Sequence, residues 1–141
     1  MRASLNWAWR LWESITEPRH LKLAYLGIYA LTTLLGIVTL LHPPISAEGP
    51  MGATMATVWA CTYILGGVVG MITVLPGWWW AERILALLPI GLGMVMYLAG
   101  VLWHYWGGPL PWTYIGLILL ASTPFLIRWP LIWSYSYEPR R

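Results

Sequence analysis

No Asp, Glu, Lys or Arg occurs between Leu23 and Ala47, between Gly49 and Ala81, or between Ile84 and Ile127. These charge-free runs constrain the fold more than any other feature. Soluble domains carry about 25% charged residues to face water. Here only 9% are charged and 59% are hydrophobic, so the surface of a soluble fold could not be covered. Each run holds enough apolar residues for a helix of about 20, the length that crosses the hydrocarbon core of a bilayer. The chain therefore reads as a multi-pass membrane protein.

Breakers divide the runs into four spans, at about 21–41, 53–75, 80–105 and 112–129. Pro43 and Pro44 end the first, and Pro76-Gly77 ends the second. Gly107, Gly108, Pro109 and Pro111 form the hairpin between the last two. Short connections imply antiparallel neighbours, so the expected fold is all-α, an integral membrane four-helix bundle. Pro89, Gly91 and Gly93 in span three and Pro124 in span four suggest kinks or close helix contacts.

The basic residues orient it. Arg2, Arg10, Arg19 and Lys22 precede span one, Arg83 lies in the loop 76–83, and Arg128, Arg140 and Arg141 follow span four. The loops 41–52 and 106–111 hold no Lys or Arg. All eight fall on one side if both termini are cytoplasmic. The expected orientation is N-in and C-in.

Residues 1–18 form a separate expectation, an amphipathic interfacial helix. Asn6, Arg10, Glu13 and Glu17 share a narrow arc at 100° per residue, and Leu5, Trp7, Trp9, Leu11, Trp12 and Ile15 occupy most of the rest. That pattern lies flat in the headgroup region. It lacks the early apolar core and cleavage site of a signal peptide. Residues 19–133 then form the bundle and 134–141 a basic cytoplasmic tail.

Twelve tryptophans mark the boundaries. Trp7, Trp9 and Trp12 lie on the amphipathic segment, and Trp78, Trp79 and Trp80 at the start of span three. Trp103, Trp106 and Trp112 bracket the hairpin, and Trp129 and Trp133 close span four. Indole combines a large apolar face with one N–H donor, which suits the boundary between hydrocarbon and headgroups. These eleven are read as interfacial anchors rather than a ligand site; Trp59 alone falls within a span.

Glu82 falls in the first turn of span three, where the helix dipole favours an anion. It does not face its neighbour Arg83. Arg83 and Arg128 are expected to reach lipid headgroups. On this reading no charge is buried, and the spans offer only Thr, Ser, Tyr and Cys. Ion-coupled carriers need intramembrane ionisable groups, and enzymes need a nucleophile, an acid–base pair or a metal. No enzyme, no catalytic residue and no cofactor is therefore expected. Cys61 reads as a small packing residue. His42, Glu48 and His104 are a donor set of the kind zinc takes, but match no ligand spacing, so no metal site is assigned.

Small residues give the helix-association signal. Thr62, Gly66, Gly70 and Thr73 lie on one side of span two, and Gly66 and Gly70 form a GxxxG pair. Packing within one bundle and self-association between chains both fit it. Thr32, Thr33 and Thr39 supply a polar wall in span one.

The amphipathic start, "LHPPISAEGPMG", "GGVVG", "VLPGWWWAER" and the basic tail together resemble small four-span holin-like membrane proteins of actinobacterial phages. The resemblance covers most of the chain and transfers no active-site residue. It implies a protein that self-associates in the host cytoplasmic membrane and permeabilises or depolarises it during lysis. The alternative is a non-lytic scaffold or superinfection-exclusion protein, docking through the Trp-rich segment and "PGWWWAER". A small transporter or channel subunit is the weaker third reading. Expected partners are the lipid bilayer, further copies of the chain and a cytoplasmic or envelope protein, with no nucleic acid.

Overall fold

The computed structural model describes residues 19–43, 45–109 and 111–133. Among these, all regular structure is helical, and four helices are long and apolar enough to cross a membrane. They are α1 (Arg19–Leu41), α2 (Ile45–Val74), α3 (Trp79–His104) and α4 (Trp112–Trp133). The amphipathic segment 1–18, with Trp7, Trp9 and Trp12, and the tail 134–141 lie outside the described residues.

The breakers fall close to where the sequence places them. α1 stops at Leu41, just before Pro43. α2 ends in a Schellman-type turn: Gly77 has φ 73° and the Trp78 N–H bonds the Thr73 carbonyl at 3.1 Å. Only glycine takes that left-handed conformation at little cost. The connection before α2 differs from the expected loop. It is helical from Ile45, and the break sits at Gly52, where φ is 76° and ψ is 158°. The part of α2 that is continuous and apolar is Gly52–Val74.

α3 is not a uniform α-helix. Trp79–Ala81 is α-helical, Glu82–Leu87 is a π turn, and Leu88–His104 is α-helical again. Pro89 explains the wider turn. It has no N–H to offer Leu85, and its ring crowds that carbonyl. The helix accommodates it by opening one turn, so that the Leu88 N–H bonds the Arg83 carbonyl, five residues back.

Polarity is inverted relative to a soluble bundle. The buried face of α1 is Lys22, Tyr25, Tyr29, Thr32, Thr33 and Thr39, while Leu31, Leu34, Leu35, Ile37, Val38, Leu40 and Leu41 are exposed. A stripe of polar side chains inside and leucines outside is stable only where lipid is the solvent. The threonine hydroxyls are satisfied locally: Thr32 donates to the Ile28 carbonyl at 2.8 Å and Thr33 to the Tyr29 carbonyl at 2.9 Å.

Glycines set the spacing of α1, α2 and α3. A β-carbon at Gly67 would sit 2.8 Å from the Tyr29 carbonyl oxygen, and one at Gly36 would sit 2.8 Å from the Ala60 carbonyl oxygen. On the other side of α2, a β-carbon at Gly66 would sit 2.8 Å from the Ala86 carbonyl oxygen. Helix backbones meet closely at these points, which is how helices associate when lipid removes the hydrophobic drive. Towards the hairpin end, Trp59 is buried between Tyr63 and Tyr97, its ring stacked on Tyr97 at 5.0 Å and 16°.

Candidate functional site

The site grows from two sequence features, Gly70 and Pro89. Gly70 has no side chain, and the ring of Tyr29 lies directly against its Cα. The ring is thereby held between α1 and α2, fully buried, with its hydroxyl pointing on towards α3. The π turn before Pro89 begins at Glu82, which is also fully buried. The two meet: the Tyr29 hydroxyl donates to Glu82 Oε1 at 2.7 Å.

A third helix completes the contact. Arg128 of α4 donates from Nε to Glu82 Oε1 at 2.7 Å and from Nη2 to Oε2 at 2.8 Å. This is a bidentate ion pair, the strongest geometry a guanidinium and a carboxylate can adopt. Arg128 also lies over the ring of Tyr25, 4.6 Å from its centroid. The Tyr25 hydroxyl returns to α4, donating to the Pro124 carbonyl at 3.1 Å. Lys22 is buried at the edge of this group, its Nζ 3.5 Å from the Leu75 carbonyl oxygen at the end of α2. One carboxylate thus gathers donors from α1 and α4 onto α3.

This overturns the expectation of a charge-free interior. Arg128 does not contact headgroups: it is 4% exposed and paired with Glu82, which is 0% exposed. The reason is the length of α4. The helix runs five residues beyond Arg128 to Trp133, so the guanidinium falls inside the span. The signal was present as "WPLIW", an apolar continuation after the arginine, and as the inward-facing series Ile118, Phe125, Arg128 and Ile132. Glu82 and Arg83 do not pair with each other, as helix geometry requires. Arg83 instead lies at the bundle's end, its Nη1 bonded to the Trp133 carbonyl at 2.5 Å and its guanidinium 5.2 Å from the Trp133 ring centroid.

The association residues all face inward, within one chain. Gly66 meets Ala86 and Ile90 of α3, and Gly70 meets Tyr29 of α1. Thr62 packs beside Gly93 of α3 and bonds its own helix at the Trp59 carbonyl, 2.7 Å away. Thr73 is buried and bonds the Val69 carbonyl at 2.8 Å. Between chains this face is not available, because α1 and α3 already fill it.

The described tryptophans fall at helix ends, Trp59 excepted. Trp78, Trp80, Trp103, Trp106, Trp112 and Trp133 are exposed. Trp79 and Trp129 are half-buried and pack against the core. The three consecutive indoles therefore split, Trp79 inward and its neighbours outward. His42 and His104 are exposed, and Cys61 is an exposed free thiol. Among the described residues no three of His, Cys, Asp and Glu come together, and the Glu48 side chain lies outside them.

Comparison with protein-family models, with curated proteins and with solved structures finds no match to this chain.

Proposed function

We propose that this chain is a holin-like protein of a bacterial cytoplasmic membrane. It inserts with both ends cytoplasmic, self-associates, and permeabilises or depolarises the bilayer during phage lysis. The observation that carries the reading is the hidden polar face of α1, with Lys22, Tyr25, Tyr29, Thr32, Thr33 and Thr39 all buried beneath lipid-facing leucines. A lesion needs helices that are apolar outside in the closed form and can offer a polar wall to water when rearranged. α1 has both faces. Such a mechanism needs no nucleophile, cofactor or metal.

With Gly66 and Gly70 occupied inside the bundle, copies in the closed form meet through their outer surfaces. The test is induced expression in a bacterial host carrying a cytoplasmic lysin, with a potential-sensitive dye. Abrupt depolarisation followed by lysis is the expected result. Continued growth at high expression overturns the proposal and favours a non-lytic scaffold or superinfection-exclusion protein.

A further inference from the structure

α4 is attached to the bundle by different means from the other helices. Where α1 meets α2, and α2 meets α3, glycines let backbones touch. Gly116, the glycine of α4, meets nothing. Most of the outer surface of α4 is apolar and open to lipid, with Leu117, Leu119, Leu120, Leu126, Ile127 and Leu131 exposed. In lipid that surface supplies no force towards the other helices. What remains is a set of side-chain contacts, most of them between Pro124 and Trp133. The polar and aromatic ones are Arg128 to Glu82, Tyr25 to Pro124, Phe125 against Tyr29 at 6.1 Å, and Arg83 to Trp133, and Ile118, Trp129 and Ile132 add apolar packing. Above them lies the Ser122 hydroxyl, 3.2 Å from Met94 Sδ.

We infer that the Glu82 carboxylate is a latch: it holds α4 on an otherwise self-sufficient α1–α2–α3 core through Arg128, and its loss lets α4 swing away. Three donors converge on Glu82, and Arg128 also covers Tyr25, so losing the carboxylate loosens several contacts together. Pro124 lies at the inner end of the weakly attached half, where a missing backbone donor already permits bending. Release uncovers Tyr25, Tyr29 and Arg128, the polar group between α1 and α4. The step from release to a lesion rests on the permeabilising role proposed above; the latch does not.

The experiment is distance measurement between spin labels in lipid nanodiscs, on a Cys61→Ala background. One label pair, Leu65→Cys with Leu120→Cys, reports α2 to α4. A control pair, Leu65→Cys with Leu92→Cys, reports α2 to α3. All three leucines are exposed, so labels displace no core contact. Glu82→Met, Arg128→Met and the double variant are compared with the parent. The expected result is a narrow α2–α4 distance in the parent that broadens or shifts by about one helical turn, about 5.4 Å, in the variants. The control distance stays unchanged.

The double variant removes both charges of the pair together, so it tests the latch even if the single variants misfold. An unchanged α2–α4 distance in the double variant overturns the inference. So does equal broadening of the control pair, which would make Glu82 a support of the whole fold. Movement of α4 without dye leakage from vesicles sinks the permeabilising role and leaves the latch standing.

Discussion

The α1–α2–α3 core and the α4 junction solve the same problem by opposite means. Both must hold helices together in a solvent as apolar as their own side chains. The core does it with absence: Gly36, Gly66 and Gly67 remove side chains so that backbones approach, and Gly70 makes room for the Tyr29 ring. The α4 junction does it with presence: Arg128, Glu82 and two tyrosines fill the gap with a polar contact. Dispersion across touching backbones cannot be switched off without changing the sequence. An ion pair depends on the charge of two groups. The difference teaches where this bundle can change shape.

The largest expected effects come from breaking the pair unevenly. Removing one partner of a buried ion pair typically costs about 3–5 kcal/mol, because the other charge is left uncompensated. Glu82→Met should lie at the upper end, since Arg128 stays charged at any physiological pH. Arg128→Met should fall in the same range, since it leaves Glu82 with the Tyr29 hydroxyl as its one remaining donor of the three. The double variant should recover much of the loss measured for Glu82→Met. Unfolding in mixed micelles, followed by tryptophan fluorescence, gives all three values. A double variant no more stable than Glu82→Met would show that the contact works mainly by attraction, not by compensating charge.

Next comes the core. Gly67→Val places a side chain within 2.8 Å of the Tyr29 carbonyl oxygen, a clash with backbone that no rotamer relieves. Overpacking of this kind costs about 1–3 kcal/mol or more. Its signature should differ from that of the pair: a spin-label distance from α2 to α1, between Leu65→Cys and Leu34→Cys at two exposed positions, should broaden. If Gly67→Val loosens only α4, the division of the bundle into core and latch fails.

Much of this comparison was legible in the sequence, and the missing part has a physical reason. Four spans followed from charge-free runs and breakers, because lipid forbids both charge and unsatisfied backbone over that length. Gly66 and Gly70 were visible as a packing face, although which helices they meet was open. The polar junction was not legible. Glu82 and Arg128 sit near the ends of their spans, where a charge ordinarily reaches out to water. Burial came from two non-local facts, the continuation of α4 to Trp133 and the π turn before Pro89. The first was signalled by the apolar "WPLIW" after Arg128, but the second does not follow from composition or from hydropathy alone. Tyr29 was equally hidden, since its role depends on Gly70 lying across from it on another helix.

Tyr29 offers a sharper cut, because it belongs to both regions. Its ring packs on Gly70 and its hydroxyl bonds Glu82. Tyr29→Phe keeps the first contact and removes the second. A hydrogen bond to a charged group contributes about 1.5–3 kcal/mol, and the lower figure is expected here because Arg128 continues to hold both carboxylate oxygens. The control distance from α2 to α3 should not move. Should it broaden, the hydroxyl matters to the core and the two regions are not separable.

The smallest effect belongs to Arg83, at the outer edge of the same junction. Its guanidinium lies over the Trp133 ring and bonds that residue's carbonyl, at the end of α4. An exposed cation–π contact is worth about 0.5–1 kcal/mol. Arg83→Ala should lower stability by that order and leave the α2–α4 distance narrow. If α4 is held by the buried pair, Arg83 is a brace and not a second latch. Combining Arg83→Ala with the Glu82→Met and Arg128→Met double variant tests this. With the buried pair gone, the brace and the Tyr25–Pro124 bond are the polar ties left on this half of α4, so removing the brace should widen the distance distribution further. Failure to widen would mean that Arg83 lets go as soon as the Glu82 latch opens.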